Sequence, residues 1–323
     1  MGSQVTDEAS VLEKFDRLVE AGTVLYTPDL KTIRLTDGAL QFEFLITSAL
    51  KSKPLAVWGN AELDDEQPDD RQQPQPKTIT TASGAALQLD ADGRLPGGDI
   101  SVAGFVIDLV NAGSHVLMFN KFCVYRPHLI LLTADGHRRQ FEALGAADLE
   151  AARGVLEGLN DGGEQDFLAI FNCGKDGGCS RLHKHMQIIP APSAFALWPD
   201  DGVQEREVPY RYLIKRFEGG GMPAAKELAG EYKRMLVEAT KAVPGREEVV
   251  EEDGDGRGIA VPHNVILSRR WMVVVPRRRV GFEKADANAA GMMGVVWASG
   301  EETYEAWKEL GPKWVLVEVG VRK

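Results

Sequence analysis

Residues 171–190, FNCGKDGGCSRLHKHMQIIP, join a glycine-rich turn to two histidines and a glutamine at alternate positions. Side chains of a β-strand alternate between two faces, so His183, His185 and Gln187 are predicted to project into one common space. The glycines of residues 174–180 allow backbone N–H groups to converge on an anion. A neutral imidazole beside such an anion site can attack phosphorus while the turn stabilises charge on the phosphate oxygens.

The same stretch has two other interpretations. It fits an ordinary half-buried strand whose histidines are satisfied by hydrogen bonds. It also fits a metal site, because histidines on one face of a strand bind zinc or copper. A metal site needs a third and a fourth ligand, and Gln187 is a poor ligand for zinc. Cys173 and Cys179 lie nearby in the sequence but do not complete a ligand set, so we expect no metal held by the protein.

The composition fits a soluble enzyme better than a nucleic-acid-binding protein. Of the 323 residues, 44% are hydrophobic and 26% are charged, and the net charge is −11. This charge argues against general nucleic-acid binding, which depends on many lysine and arginine contacts to phosphates. No apolar run approaches the roughly 18 residues that cross a bilayer. Three scattered cysteines do not make a disulfide framework, so we expect a cytoplasmic protein, with the nucleus as a second compartment.

Hydrophobic periodicity predicts the secondary structure coarsely. Amphipathic helices are predicted at 7–21, 145–160, 222–243 and 300–311. Strand runs are predicted at 103–133, 166–174 and 263–276, and a hairpin with Asp-Gly at its turn at 25–47. Strands joined both by tight turns and by helices predict an α+β fold with a mostly antiparallel sheet flanked by helices.

The motif resembles the histidine-triad superfamily. That superfamily's signature is an Asn, a glycine-rich turn with Gly and Ser, and then alternating histidines. Asn172, residues 176–178, Ser180, His183 and His185 fall at the matching spacings. Gln187 departs from the hydrolase branches, which carry histidine there. His-x-His-x-Gln is typical of the nucleotidyltransferase branches, so the resemblance implies a fold like that of the galactose-1-phosphate uridylyltransferases.

Further segments resemble one of these branches, the ATP adenylyltransferases, also called diadenosine tetraphosphate phosphorylases. The segments are LMFNKFCVYRPHLILLT (117–133), HNVILSRRWMVVVPRRR (263–279), NAAGMMGVV (288–296) and ELGPKWVLVEVGV (309–321). The resemblance covers 51–53 and 103–323 in order. It implies a catalytic region at 1–242 and a C-terminal segment at 259–323 that completes the nucleotide site. The acidic, Gln- and Pro-rich residues 61–77 cannot pack a core, and we predict a mobile insertion near 61–100.

The resemblance implies a transfer in two steps. His185 attacks the α-phosphorus of diadenosine tetraphosphate, ATP leaves, and AMP stays on the imidazole. Inorganic phosphate then takes the AMP and forms ADP, which is the general logic of covalent catalysis. His183 orients the site, and Gln187 bonds the phosphate or the nucleophilic ring. An amide cannot shuttle protons at neutral pH, so glutamine supports water activation poorly while still positioning a phosphate acceptor.

The resemblance also implies a set of substrate contacts. They are Lys53, Asn120, Lys121, Asn172, Gly178, Cys179, Ser180, Arg181, Asn288, Ala289 and Ala290. The expected partners are small molecules: diadenosine polyphosphates, phosphate, ADP and ATP. The sequence leaves the oligomeric state open, with a monomer compatible with it, and we expect no binding to nucleic acid or membrane. Mg²⁺ is expected to arrive with the nucleotide rather than in a protein cage, and His128 is interpreted as structural.

Departures from the family pattern leave the acceptor and the chain length open. Ser299 stands where the family carries a lysine expected near the distal phosphates, Val295 stands at a methionine-like position, and GRLPGGDIS (93–101) replaces an NPFLPP-like loop. An adenylyltransferase that uses sulfate or a sugar phosphate is therefore an alternative. A non-catalytic nucleotide-sensing protein that keeps the fold is a second alternative.

Overall fold

The computed structural model describes residues 7–28, 30–52, 77–161, 165–246 and 258–323. Its helices are α1 (Glu8–Glu20), α2 (Ala146–Asn160), α3 (Gly202–Glu207), α4 (Ala225–Ala242), α5 (Ala289–Met292), α6 (Glu301–Leu310) and α7 (Pro312–Val319). Its first eight strands are β1 (Lys31–Asp37), β2 (Leu40–Ile46), β3 (Lys77–Thr80), β4 (Ala86–Leu89), β5 (Val106–Val110), β6 (His115–Phe119), β7 (Leu129–Thr133) and β8 (Phe167–Cys173). The others are β9 (His185–Pro190), β10 (Leu213–Arg216), β11 (His263–Leu267), β12 (Trp271–Pro276), β13 (Gly281–Phe282), β14 (Ala285–Asp286) and β15 (Val295–Ala298).

The main sheet has eight strands in the order β10-β12-β11-β8-β9-β7-β6-β5. Every neighbouring pair in it is antiparallel. A second, three-stranded sheet has β2 at its centre, antiparallel to β1 and parallel to β15. The predicted α+β fold with a mostly antiparallel sheet is confirmed.

The central strands are apolar on both faces because both faces are covered. In β8, Phe167, Ala169 and Phe171 belong to one buried cluster, whereas Leu168 and Ile170 belong to the other. The first cluster also contains side chains of α1, α2 and α4, and the second contains side chains of the three-stranded sheet and α7. Strands buried in this way read as continuous hydrophobic runs rather than alternating ones.

Several elements predicted from the sequence are confirmed. The hairpin at 25–47 is formed by β1 and β2, with Asp37 opposite Leu40 across the turn. The four predicted helices correspond to α1, α2, α4 and α6. Asp7 caps α1, because its side chain accepts a hydrogen bond from the backbone N–H of Ser10 at 2.9 Å.

The structure differs from the predicted mobile insertion over residues 77–100. These residues form the β3–β4 hairpin and a following loop, and Leu87, Leu89 and Leu95 reach the first buried cluster. Leu87 and Leu89 are two residues apart, so they lie on one face of β4 and can be buried together. The rest of the acidic segment, 61–76, lies outside the described residues, as does Lys53.

The two regions inferred from the sequence share the main sheet. β11, from the C-terminal segment, pairs with β8 of the catalytic region, with Asn264 opposite Asn172. A boundary between 242 and 259 therefore falls between strands of one sheet. Among the residues in the described ranges, no helix is both long enough and apolar enough to cross a membrane.

Candidate active site

His185 begins β9, at the point where β9 and its neighbour β8 separate. The side chain of Gln140 fills the gap between the two strands. Its Oε1 accepts the backbone N–H of His185 at 2.7 Å, and its Nε2 donates to the carbonyl oxygens of His185 at 2.9 Å and Asn172 at 3.1 Å. Gln140 thus supplies the hydrogen bonds that a continued strand pair would give, and it fixes the backbone of His185.

The ring of His185 is held in one tautomer. Its Nδ1 lies 2.8 Å from the carbonyl oxygen of His183. A carbonyl oxygen only accepts hydrogen bonds, so Nδ1 carries a proton, and in the neutral ring Nε2 carries the lone pair. A lone pair on Nε2 is what attack on phosphorus requires.

A cavity of about 270 Å³ lies beside His185. The predicted site residues that line it are Asn120, Lys121, Ser180, Arg181, His185 and Gln187. One part of its wall is apolar and is formed by Ile100, Phe105, Met118, Phe122 and Ile130. Such a wall suits a planar base, and the basic and hydroxyl groups suit phosphate oxygens.

Gln187 is oriented by His128. The Nε2 of His128 lies 2.8 Å from Oε1 of Gln187. The Nδ1 of His128 accepts the backbone N–H of Val124 at 3.4 Å, so Nε2 is the protonated nitrogen and donates to Gln187. Asn120 Nδ2 also lies 3.3 Å from His128 Nε2. Both of these nitrogens carry hydrogen and cannot bond to each other, so the shorter contact with Gln187 determines which nitrogen of His128 is protonated. The NH₂ group of Gln187 is then the group available to a phosphate oxygen.

His183 departs from the predicted row of three side chains. It precedes β9, is fully buried and does not line the cavity. Its Nε2 donates to the carbonyl oxygen of Thr133 at 2.9 Å, whereas its Nδ1 has no hydrogen-bond partner among the described residues. Burial lowers the pKa of His183 to about 4, so the ring is neutral near pH 7.

The glycine-rich turn does not form the predicted anion nest. The backbone N–H groups of Gly177, Gly178 and Cys179 donate to Gly174 and Lys175 carbonyl oxygens within the turn. A Cβ on Gly178 would lie 3.0 Å from the carbonyl oxygen of Ala287, so this part of the turn packs on the C-terminal segment. Ser180 and Arg181, just after the turn, are the residues that reach the cavity.

The remaining predicted contacts join the two regions to each other. Asn172 Oδ1 accepts hydrogen bonds from Asn264 Nδ2 at 2.9 Å and from the backbone N–H of Ala289 at 2.8 Å. Asn288 caps α5 through the N–H of Gly291, and Ala289 and Ala290 are buried. These residues build the edge of the site rather than its cavity wall.

A buried arginine holds this edge. Arg277 is 1% exposed and donates to Asn264 Oδ1 at 2.6 Å and to the Ala287 carbonyl oxygen at 2.8 Å. Burial lowers the pKa of Arg277 to about 10, which leaves the guanidinium charged at neutral pH.

Two family models match the chain over most of its length. The Ap4A phosphorylase N-terminal domain matches residues 100–200, and the ATP adenylyltransferase C-terminal domain matches residues 206–322. The chain belongs to the Ap4A phosphorylase family. The resemblance stated from the motif is therefore confirmed.

Curated relatives of this Ap4A phosphorylase family member come from Saccharomyces cerevisiae. Diadenosine 5',5'''-P1,P4-tetraphosphate phosphorylase 2 is 24% identical over 221 residues, which cover 61% of this chain and 66% of that protein. Protein APA1 is 24% identical over 215 residues, which cover 59% of this chain and 63% of that protein. The aligned region thus spans just under two thirds of the length of each relative.

Solved structures share the fold over the full chain. Yeast Ap4A phosphorylase Apa2 has a TM-score of 0.72 at 20% identity and covers 100% of this chain and 99% of its own. The same protein in complex with Ap4A has a TM-score of 0.71 at 19% identity, with the same coverage.

The sequence did not predict several residues that hold or surround the predicted site residues, because they lie far from them in the chain. Gln140 and His128 hold His185 and Gln187, and Arg94, Asp99 and Ser101 line the cavity from the 93–101 loop. That loop departs from the family pattern, so the resemblance gave no contact there. In the described part of the chain, no three His, Cys, Asp or Glu side chains are grouped to hold a metal ion.

Proposed function

We propose that this protein is a diadenosine tetraphosphate phosphorylase that uses His185 as its nucleophile. The observation that carries the proposal is the tautomer of His185. Its Nδ1–H is held by the carbonyl oxygen of His183 at 2.8 Å, and its ring lines a cavity that also contains Lys121 and Arg181. Membership of the Ap4A phosphorylase family supports the choice of substrate.

The reaction takes place in two transfers. The Nε2 lone pair of His185 attacks the α-phosphorus, the N–P bond forms, and the bond from that phosphorus to the oxygen bridging the β-phosphate breaks. ATP leaves, and AMP remains on the ring. An oxygen of inorganic phosphate then attacks the same phosphorus, the N–P bond breaks, and ADP leaves. Each step is a displacement at one phosphorus, so the sequence runs in reverse as well.

The side chains around His185 divide the work. Arg181, Lys121 and Ser180 can donate to phosphate oxygens, where donors to ionised groups are the strong ones. The NH₂ group of Gln187 adds a neutral donor and no acid–base group, so water is activated poorly. His183 contributes its carbonyl oxygen rather than its ring. Lys53 and the predicted contacts of Asn120 with ribose stay predictions, as does a divalent ion such as Mg²⁺ that enters bound to the polyphosphate.

The apolar wall of the cavity fits the adenine of the AMP moiety. Phe105, Met118 and Ile130 line the same cavity as His185, so a base packed against them lies in the pocket that also holds the nucleophile. We further expect a cytoplasmic protein that acts on free nucleotides.

The test offers diadenosine tetraphosphate with and without phosphate, followed by a rapid quench. We expect an acid-labile AMP adduct on His185 without phosphate, and ATP with ADP when phosphate is present. His185→Ala should remove both the adduct and the turnover. Phosphorolysis by that variant, or an adduct on another residue, would contradict the mechanism. Turnover with sulfate in place of phosphate as the preferred acceptor would favour the alternative adenylyltransferase.

A further inference from the structure

We propose that Asp99 is a positioning residue for His185, which it controls through the backbone of residues 182–183. The role of Asp99 in turnover rests on the proposed function of His185, whereas its effect on the tautomer of His185 does not. Asp99 belongs to the 93–101 loop, where the sequence departs from the family pattern.

The carboxylate of Asp99 bonds two successive backbone groups across more than eighty residues of sequence. Its Oδ2 accepts the N–H of Leu182 at 2.8 Å, and its Oδ1 accepts the N–H of His183 at 2.9 Å. Hydrogen bonds to an ionised acceptor are about twice as strong as neutral ones. Leu182 and His183 precede β9, so these two donors lack the partners that a strand pair would supply on that side.

The opposite side of this segment is held by another part of the chain. The N–H of Gln140 donates to the Leu182 carbonyl oxygen at 2.7 Å, and the N–H of Lys184 donates to the Arg138 carbonyl oxygen at 3.0 Å. Residues 182–184 are therefore fixed between the 138–140 segment and Asp99. Removal of the carboxylate frees one side of the segment and leaves the other side in place.

The loop that carries Asp99 is shaped to lie directly on His183. A Cβ added at Gly98 would be 2.6 Å from His183 Nδ1, and one at Gly97 would be 2.5 Å from the His137 ring. A side chain at either position requires a shift of the loop or of the contacting histidine ring. The fully buried ring of His183 is covered in part by this contact.

Asp99 reaches His185 through one peptide group. The carbonyl oxygen of His183 accepts Nδ1–H of His185 at 2.8 Å, and this bond keeps the lone pair on Nε2. If residues 182–183 move, the bond weakens, and the tautomer with the proton on Nε2 gains population. That tautomer has no lone pair on Nε2 and cannot attack phosphorus through this nitrogen. Asp99 also lines the cavity, and its two backbone donors offset part of its repulsion toward a phosphate.

The test replaces Asp99 with Asn and compares it with Asp92→Asn, an exposed carboxylate of the same region. An amide has one acceptor oxygen, so one of the two backbone N–H groups then faces an NH₂ group. We expect the single-turnover rate of AMP transfer to fall roughly 30-fold, as for the loss of a charge-assisted hydrogen bond. The dissociation constant for diadenosine tetraphosphate should stay within about threefold of the wild type, because the two backbone donors already offset part of the repulsion between Asp99 and a phosphate, and the main effect of Asp99 runs through His185.

A second readout does not depend on turnover. In protein labelled with ¹⁵N-histidine, the two ring nitrogens of His185 report its tautomer directly. The wild type should show the proton on Nδ1, and Asp99→Asn should show a population with the proton on Nε2. Gly98→Ala, which displaces the loop but keeps the carboxylate, should shift the tautomer in the same direction. Gly154→Ala, at a helix position where a Cβ meets nothing within 4 Å, is its control.

The AMP adduct and the tautomer of His185 distinguish failure of the positioning role from failure of the proposed function. If wild-type protein forms no AMP adduct but Asp99→Asn changes the tautomer, the assigned activity is wrong and the positioning role stands. An unchanged tautomer in folded Asp99→Asn overturns the positioning role. A weaker affinity for substrate with an unchanged rate of AMP transfer overturns it as well. Should Asp99→Asn fail to fold, as judged by thermal melting, Gly98→Ala decides between these outcomes.

Discussion

Replacement of His128 by phenylalanine should disable Gln187 without unfolding the protein. The change removes the Nε2–H that donates to Gln187 Oε1 at 2.8 Å. The aromatic packing is kept, because the ring of His128 contacts Tyr125 and Trp297 edge-on at centroid distances of 6.0 and 5.2 Å. Trp297 Nε1 donates to the Tyr125 hydroxyl at 3.1 Å and holds this aromatic group in place.

The magnitude follows from what Gln187 loses. Its amide oxygen is left with no donor from His128, so the amide can rotate and present oxygen instead of NH₂ to the phosphate. A hydrogen bond to a charged group contributes about 1.5–3 kcal/mol. A loss of about 2 kcal/mol in the transition state corresponds to a fall of roughly 30-fold in kcat/KM. We expect the free energy of unfolding to fall by about 2 kcal/mol, because the change removes the bond to Gln187 and also leaves the buried backbone N–H of Val124 without its acceptor.

The assay is a double-mutant cycle on the single-turnover rate of AMP transfer, with His128→Phe, Gln187→Ala and the double variant. If His128 acts only by orienting Gln187, the double variant should be no slower than Gln187→Ala alone. Thermal melting of each variant provides the control for folding. If the fold reductions in rate of the two single variants multiply in the double variant, His128 and Gln187 act independently and this reasoning is refuted.

Two further predictions concern stability. Burial lowers the pKa values of His183 and His263 from 6.5 to about 4. As the pH falls, these histidines therefore bind protons in the unfolded chain before they do so in the folded protein. The free energy of unfolding should stay constant above pH 6.5 and fall as the pH drops toward 4. At pH 5 the loss should be about 2 kcal/mol per histidine. Urea titrations at pH 7.5 and pH 5 measure this difference. Lys184→Met should cost about 3 kcal/mol, because the buried carboxylate of Asp148, 2.7 Å from Lys184, loses its lysine and keeps only His115 and the backbone N–H of Gly145 as partners. Lys241→Met, at an exposed pair, should stay within about 0.5 kcal/mol in the same titration, and equal losses for both would contradict the argument.

The strands and the shared side of His185 and Gln187 could be predicted because their signals are local. Apolar runs such as 128–133 and 271–276 occupy consecutive positions, and the alternation of His185 and Gln187 follows from strand geometry alone. The same alternation correctly predicts that Lys184 points away from His185. A lysine is ordinarily expected in solvent, yet Lys184 is 2% exposed and pairs with Asp148.

The partners of these residues could not be predicted, because each comes from a distant part of the chain. His128 and Gln187 are separated by 59 residues, and Gln140 and His185 by 45. The burial of His183 depends on Gly98, in a loop that the family resemblance does not cover. The turn of 174–178 uses its own N–H groups for internal bonds, a choice that a glycine-rich sequence leaves open.

The predicted nucleotide contacts of the C-terminal segment form one unit with Asn172. Asn172 Oδ1 already holds Asn264 and the backbone of Ala289, while Arg277 holds Asn264 and the carbonyl oxygen of Ala287. A buried charge left without its acceptors is costly, so Arg277 ties residues 287–289 firmly to the end of β8. These bonds hold the segment in one arrangement relative to β8. A substitution at Asn172 would therefore displace Ala289 as well, and any loss of activity would report the whole edge of the site rather than a single contact to ribose.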